Sequence, residues 1–466
     1  MLPLVALVFA LVALDDQPRY PMPATQAETG FGHGVQRTMG LLATSTPERR
    51  HKVKILFYGQ SITQQSWTKL VAEDLRKRFP NADLTLENRA IGGFSAPVLI
   101  RTAEADVYPF YPDLIIFHVY GGDPDYEALQ AEIRRRTAAE VLFHSDHVTW
   151  LPGEGDEANQ LKGYNWHDSH STKFLPELAA RLGAECAEIR TPWKRYLADN
   201  HLKPRALLSD SVHLNDHGNF LMAELVKRHL RYDPSLPGDR GASLARTYEV
   251  GRDALWKDGS LTLDFEGNRV DLIASTGPGG GPPATILIDG KAPSTLPGVY
   301  APTRVSPVPG IDWPAILRVS ADAPPIAEDW TATITKIDAD MKNFTFDVAG
   351  TVTGPDGSGA GDKPFRSTSG RVVIDPKDWW VEPTFRIQHK PTPVGTVYRW
   401  RVVPMFADAY TAPPAMDARR EVSTTVAQGY ANGRHTLKIA VGVGDRPAIR
   451  AVRVYRPPVS STGEQP

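Results

Sequence analysis

The sequence predicts a chain in two parts. An α/β domain with a parallel sheet between two layers of helices comes first, and an all-β region of sandwich type follows. Three observations carry this. Between residues 51 and 232, short apolar runs alternate with amphipathic stretches at helical spacing. One of those runs, "DLIIFHV" (113–119), is apolar almost throughout, as in a strand covered on both faces. From 242 to 456 the pattern becomes a period-two alternation bounded by Gly, Asp and Asn, and no convincing helix is apparent.

Taken in order, "MLPLVALVFALVALDD" opens the chain with an apolar run too short for a bilayer and of the length found in signal peptides. It predicts a signal peptide over 1–14 and a secreted or periplasmic protein. No Lys or Arg precedes the run, which leaves a misplaced start or a buried strand as the other readings. Residues 15–50, rich in Pro, Gly and Thr towards their end, read as an arm or linker. "VKILFYG" (53–59), "ADLTLEN" (82–88), "DLIIFHV", "AEVLFHS" (139–145) and "AECAEI" (184–189) are the strands of the α/β part. "WTKLVAEDLRKRF" (67–79), "YEALQAEIRRR" (126–136), "STKFLPELAARLG" and "DHGNFLMAELVKRHL" (216–230) are helices, the last begun by Asp216.

In the β part, 242–456, "LTLDFEGNRVDLIAS", "ATILIDGK", "TATITKID", "FTFDVAGTVTG" and "RHTLKIAVG" read as strands. An insertion or extra β module is expected at about 302–413, where Trp313, Trp330, Trp379, Trp380 and Trp400 form a sandwich core or an exposed glycan surface. Residues 457–466 read as a disordered tail. The loop "TGPDGSGAGDKP" is no phosphate loop, because its order is Gly-Asp-Lys rather than Gly-Lys-Ser/Thr.

With 52 basic against 54 acidic residues the net charge is -2, which gives no footing for a nucleic-acid partner or a polybasic membrane binder. No later stretch is long and apolar enough for a membrane span. The single cysteine, Cys186, excludes an intramolecular disulfide and reads as a small core hydrophobe.

The chemistry gathers at two places. In "ILFYGQSITQQSW" Ser61 follows a strand and precedes a helix, either as a nucleophile at the carboxyl edge of the sheet or as a helix cap. In "LLSDSVHLNDHGN" Asp210 and His213 stand three apart. That spacing lets the carboxylate accept the Nδ1 hydrogen and leaves Nε2 free to take a proton from a serine. The order along the chain is Ser, Asp, His.

These segments resemble the SGNH (GDSL-type) hydrolase family, over about residues 52–232. "GQS" (59–61) resembles its first block, "NRAIGG" (88–93) its second and "DSVHLN" (210–215) the block with the acid and base. The resemblance implies a flavodoxin-like three-layer α/β/α fold, Ser61, Asp210 and His213 as the catalytic residues, and an oxyanion hole built from the Ser61 and Gly93 N–H groups. The chain departs from the family twice. Gln60 stands where Asp is usual, and this variant is similar to the branch acting on acetylated sugars. Where the third block has Gly-x-Asn-Asp, this chain has "YGGDPDY", with Asp123 near the position of the asparagine that donates to the oxyanion. Either backbone N–H groups at Gly121 or Gly122 supply the donor, or Asp123 is protonated or turned away, or the site runs different chemistry.

Two His-x-x-His pairs, His144/His147 and His167/His170, have a spacing that can serve zinc. They sit on loops, and contact of His144 and His147 with substrate, beside Gln60 and Asp123, is the reading adopted; no metal and no cofactor is expected. Trp150, Trp166 and Trp193 are packed or stack on a sugar ring. The β half resembles the jelly-roll modules that accompany carbohydrate esterases of this superfamily. The expected function is an exported serine esterase removing acyl groups, acetyl first, from a carbohydrate or polysaccharide. A glycan-binding or scaffolding protein with a weakened site, and a lipid or thioester hydrolase, are the alternatives.

Overall fold

A computed structural model describes residues 19–25, 29–153, 158–236, 243–442 and 445–459. The expected signal peptide over 1–14 lies outside the described residues, as does the expected tail from residue 460 onward.

The strands β1 (Lys52–Gly59), β2 (Asp83–Asn88), β3 (Leu114–His118), β4 (Glu140–His144) and β5 (Glu185–Ala187) form a parallel sheet in the order β2-β1-β3-β4-β5. Every residue of β3 and β4 is buried, which is why these strands read as unbroken apolar runs. Alternate side chains enter two cores. Val53, Ile55, Phe57 and Ile116 meet helices α2 (Trp67–Arg78), α7 (Arg190–Asp199) and α8 (Asp216–Lys227) on one face. Leu56, Tyr58, Ile115 and Phe117 meet α3 (Ala96–Asp106), α4 (Asp123–Arg136) and α6 (Leu175–Leu182) on the other. Burying each such Leu or Ile contributes roughly 1.5–3 kcal/mol. The result is the three-layer α/β/α sandwich the sequence predicts.

Three local expectations change. Part of the stretch expected to be an arm, 15–50, is built into this domain: α1 (Gln36–Ala43) and the turn before it bury Val35, Met39 and Leu42 in the first core. Carboxylates at the starts of β4 and β5 hold it. Glu185 accepts the N–H groups of Gly32 and Gly34, both at 2.9 Å, and Glu140 accepts those of Arg37 and Thr38 at 2.9 and 2.7 Å. The final helix α8 is capped by Asn215, whose side chain accepts the Gly218 N–H at 3.1 Å, rather than by Asp216. Ser61 caps nothing, because α2 begins six residues later and residues 61–64 form a turn.

The β half is antiparallel. Strands β6 (Ala245–Glu249), β7 (Trp256–Lys257), β8 (Ser260–Ala274), β9 (Gly280–Ile288), β17 (Ala409–Ala412), β18 (Ser423–Ala440) and β19 (Ile449–Tyr455) make one sheet, ordered β17-β9-β18-β8-β19-β6 with β7 on β8. Between β9 and β17 the chain builds a second sheet from β10 (Tyr300–Pro302), β11 (Glu328–Ile337), β12 (Phe344–Gly350), β13 (Gly354–Ala360) and β16 (Val397–Pro404). A small hairpin of β14 (Phe365–Arg366) and β15 (Val373–Ile374) forms a separate two-stranded sheet in the same insertion. Among the described residues one α-helix interrupts the β half, α9 (Val381–Gln388), where none was expected; buried Val381 and Thr384 seat one side of it. Trp330, Trp379 and Trp400 pack inside this inserted module, between 1% and 5% exposed, so they are core aromatics and not an open glycan surface.

The inserted module also touches the α/β domain. Trp313 and Leu317 join the second core. Arg304 bonds the Asp106 carboxylate and the Arg89 carbonyl, each at 2.8 Å, and Arg101 pairs with Asp378 at 2.5 Å.

Candidate active site

The carboxyl edge of the sheet gathers the residues singled out in the sequence. β1 ends at Gly59, in register with His118 at the end of β3. Gly59 has φ +154°, and a Cβ there would lie 1.9 Å from the His118 carbonyl oxygen, so only glycine lets the two strand ends close up. The turn that follows projects Ser61. Its Oγ lies 2.9 Å from His213 Nε2, and His213 Nδ1 lies 2.7 Å from Asp210 Oδ2. The other Asp210 oxygen accepts the N–H groups of Val212 and His213 at 2.8 and 2.7 Å. Those two backbone bonds, with the His213 ring, hold the Asp210 carboxyl well below the usual carboxylate range although it is solvent-exposed. Gln65 ties the loop to the serine turn, since its amide bonds both the N–H and the carbonyl of Leu214 at 3.1 Å. Sequence reasoning thus brought together Ser61, Asp210 and His213, and the fold joins them.

Behind Ser61 runs a second polar row that the sequence did not disclose. Ser61 Oγ lies 2.7 Å from Gln60 Oε1, Gln60 Nε2 lies 3.4 Å from His118 Nδ1, and His118 Nε2 lies 2.9 Å from Asp146 Oδ1. The remaining Asp146 oxygen pairs with His167 Nδ1. Burial alone would raise the Asp146 pKa, but hydrogen bonds from His118 and His167 hold it well below the usual range. The Ser61 hydroxyl therefore has one hydrogen and two acceptors within reach, Gln60 and His213. Gln60 is 4% exposed, so its expected contact with substrate gives way to a role beneath the serine.

Asp123 does not face the serine in the way the third block suggested. It is the first residue of α4, and its carboxylate bonds His170 Nδ1 at 2.6 Å. The N–H groups of Ser61, Gly93 and Gly122 make no hydrogen bond to a protein acceptor among the described residues. Gly92 sits against the serine, since a Cβ on it would lie 3.5 Å from the Ser61 Cβ.

An open cleft of about 930 Å³ lies against Ser211 and Val212, the two residues between Asp210 and His213. Tyr120, Trp150, Tyr164, His167, Arg190 and Val212 are among its walls. The two His-x-x-His pairs are used separately rather than as ligand pairs. His144 is 1% exposed, stacked on His118 at 4.4 Å and edge-on to Trp67, which corrects its expected contact with substrate: the ring is packed under the sheet edge. His147 is 2% exposed, is among the cleft's lining residues and donates from Nε2 to the Val212 carbonyl at 2.8 Å, so it also supports the loop of Asp210 and His213 from below. Burial first, and the nearby His118 second, pull the His147 pKa down to about 4. Among the described residues no group of His, Cys, Asp and Glu is arranged to hold a metal ion, and no helix is long and apolar enough to cross a membrane. Trp193 is fully buried, Trp150 lines the cleft, and Trp166 is part exposed and stacked on His170.

Neither a family model nor a curated protein sequence matches the chain. Solved structures do. It is similar to Axe2, an acetylxylan esterase from Geobacillus stearothermophilus, at 16% identity and a TM-score of 0.33, over 40% of this chain and 97% of that one. A putative GDSL-like lipase from Parabacteroides merdae is similar at 18% identity and a TM-score of 0.35, over 39% of this chain and 98% of the other. LAE5, an alpha/beta hydrolase enzyme from the metagenome of Lake Arreo, Spain, is similar at 19% identity and a TM-score of 0.33, over 40% and 98%.

Proposed function

We propose that the chain is an exported serine esterase that hydrolyses short acyl esters, acetyl first, on a carbohydrate. The observation that carries this is the continuous contact from Ser61 Oγ through His213 to Asp210, at 2.9 and 2.7 Å. Ser61 Oγ attacks the ester carbonyl while His213 Nε2 takes its proton, and the Asp210 carboxylate stabilises the imidazolium through Nδ1–H. The unpartnered N–H groups of Ser61 and Gly93, with Gly122 as the third donor, receive the oxyanion. His213 then gives its proton to the leaving sugar oxygen. Water, deprotonated by the same histidine, attacks the acyl-enzyme and releases the acid and Ser61.

Two features support a sugar rather than a long-chain lipid. The cleft against Ser211 and Val212 combines aromatic Tyr120, Trp150 and Tyr164 with His167 and Arg190, a mixture suited to a hydroxylated ring. Gln60 in the serine block resembles the branch acting on acetylated sugars. Export rests on the apolar run at residues 1–14.

The test is hydrolysis of p-nitrophenyl acetate and of acetylated xylan by the wild type and Ser61→Ala, with fluorophosphonate labelling. Loss of both activities and of the label in a folded Ser61→Ala protein is expected. Full activity in that variant removes the mechanism, and preference for a long-chain ester over acetylated xylan removes the carbohydrate assignment.

A further inference from the structure

We propose that Trp313, from the inserted β module, is a positioning residue for the oxyanion hole. The inference rests on the serine-esterase reading above and extends it to a residue 221 positions from the loop it orients.

Trp313 Nε1–H donates to the Gly92 carbonyl oxygen at 2.7 Å. The Gly92 C=O and the Gly93 N–H belong to one planar trans peptide and point in opposite directions. Fixing the carbonyl therefore fixes the aim of the Gly93 N–H, the donor assigned to the oxyanion. Donation into the carbonyl also polarises the peptide and strengthens its N–H as a donor.

Sterics hold the same unit. Gly93 has φ +82°, and a Cβ on it would lie 2.7 Å from Trp313 Cζ2. On the other side a Cβ on Gly92 would lie 2.5 Å from Gln64 Oε1 and 3.5 Å from the Ser61 Cβ. The peptide is thus sandwiched between the serine turn and the indole, and the positive φ and the indole contact favour glycine at position 93.

The indole is itself fixed. It is 4% exposed and tilted against Phe94 at 5.4 Å, and its backbone carbonyl accepts the Val308 N–H at 2.9 Å. Arg304 of the same module holds the Arg89 carbonyl, three residues before Gly92, at 2.8 Å. Such a bond is not general to tryptophans of this module, since the buried Trp379 and Trp400 and the half-buried Trp380 leave their indole N–H groups unpartnered. The inserted module accordingly buttresses the 89–93 loop from outside the α/β domain.

Trp313→Phe keeps the ring and removes the N–H. Its kcat on p-nitrophenyl acetate is expected to fall about 10- to 100-fold, short of the 10²–10³ lost with an outright donor. KM stays within about twofold, because ground-state binding does not use the oxyanion contact. The pH profile stays in place, and the thermal midpoint is preserved. A folded Trp313→Phe protein with wild-type kcat overturns the proposal, as does a loss carried by KM alone. If that variant does not fold, the wild type labelled with ¹⁵N-tryptophan decides. Methylphosphonylation of Ser61 puts a phosphoryl oxygen into the oxyanion hole and is expected to shift one indole N–H resonance, and no shift overturns the proposal. Absence of wild-type activity together with absence of Ser61 labelling would instead remove the esterase reading.

Discussion

His147 Nε2–H donates to the Val212 carbonyl at 2.8 Å, so the segment that follows β4 supports from below the loop that carries Asp210 and His213. The ring is buried and its pKa is pulled down to about 4, chiefly by burial. In the unfolded chain it would take a proton near pH 6.5. Between about 6.5 and 4 the unfolded state binds that proton and the native state does not, so stability falls as pH falls through this window. The loss amounts to about 3 kcal/mol at most for this residue. His144, lowered by burial and His118, acts in the same direction. Asp146, held low by its histidines, loses its contribution only at more acid pH. Thermal midpoints from pH 7.5 to 4.5 should drop less steeply in His147→Gln than in the wild type; parallel curves would refute the assignment.

Asp210 holds the His213 tautomer through Nδ1. Asp210→Asn offers an amide there and leaves Nε2 wrongly protonated for a base. We expect kcat to fall by about 10²–10⁴ with KM changed only a few-fold. Steady-state kinetics on p-nitrophenyl acetate check this, and a kcat within about threefold of wild type would exclude the tautomer role.

Gly93 occupies a left-handed conformation at φ +82° with Trp313 close behind it. Gly93→Ala should destabilise the protein by about 1–3 kcal/mol from backbone strain. The clash with the indole should also lower kcat. Urea unfolding and turnover measured together test the pair of effects, and an unchanged urea midpoint with full turnover would contradict the geometry.

Asp123 is engaged by His170. A carboxylate facing the oxyanion would raise kcat about tenfold or more when neutralised, whereas one turned away should not. Asp123→Asn is therefore expected to leave kcat within about threefold of wild type. A large gain would show that the carboxylate opposes the reaction.

Much of the fold was legible where a signal is local. β3 and β4 are buried at every position, so their apolar runs survive any detail of topology. Asp210 and His213 pair within one loop, and three residues of spacing suffice to suggest it. α1 was not legible, because its place is set by Glu185 and Glu140, more than a hundred residues away in the chain. α9 was hidden in a β-rich stretch by its shortness and by the proline within it. His118 and Asp146 looked like ordinary strand-end residues until the sheet order β1-β3-β4 set them side by side beneath Gln60.

The strand–helix rhythm, the change to antiparallel strands near residue 242 and the acid–base pair in one loop are all written locally along the chain. Each of these depends on periodicity or hydrogen bonds reaching only a few residues. Tertiary packing, by contrast, makes Ser61 meet His213 rather than cap a helix, and turns Asp123 to His170. It alone brought Trp313 against Gly92. Those contacts join positions from 47 to 221 residues apart. Packing of whole layers brings such positions together, and no local pattern in the chain records which partners will meet.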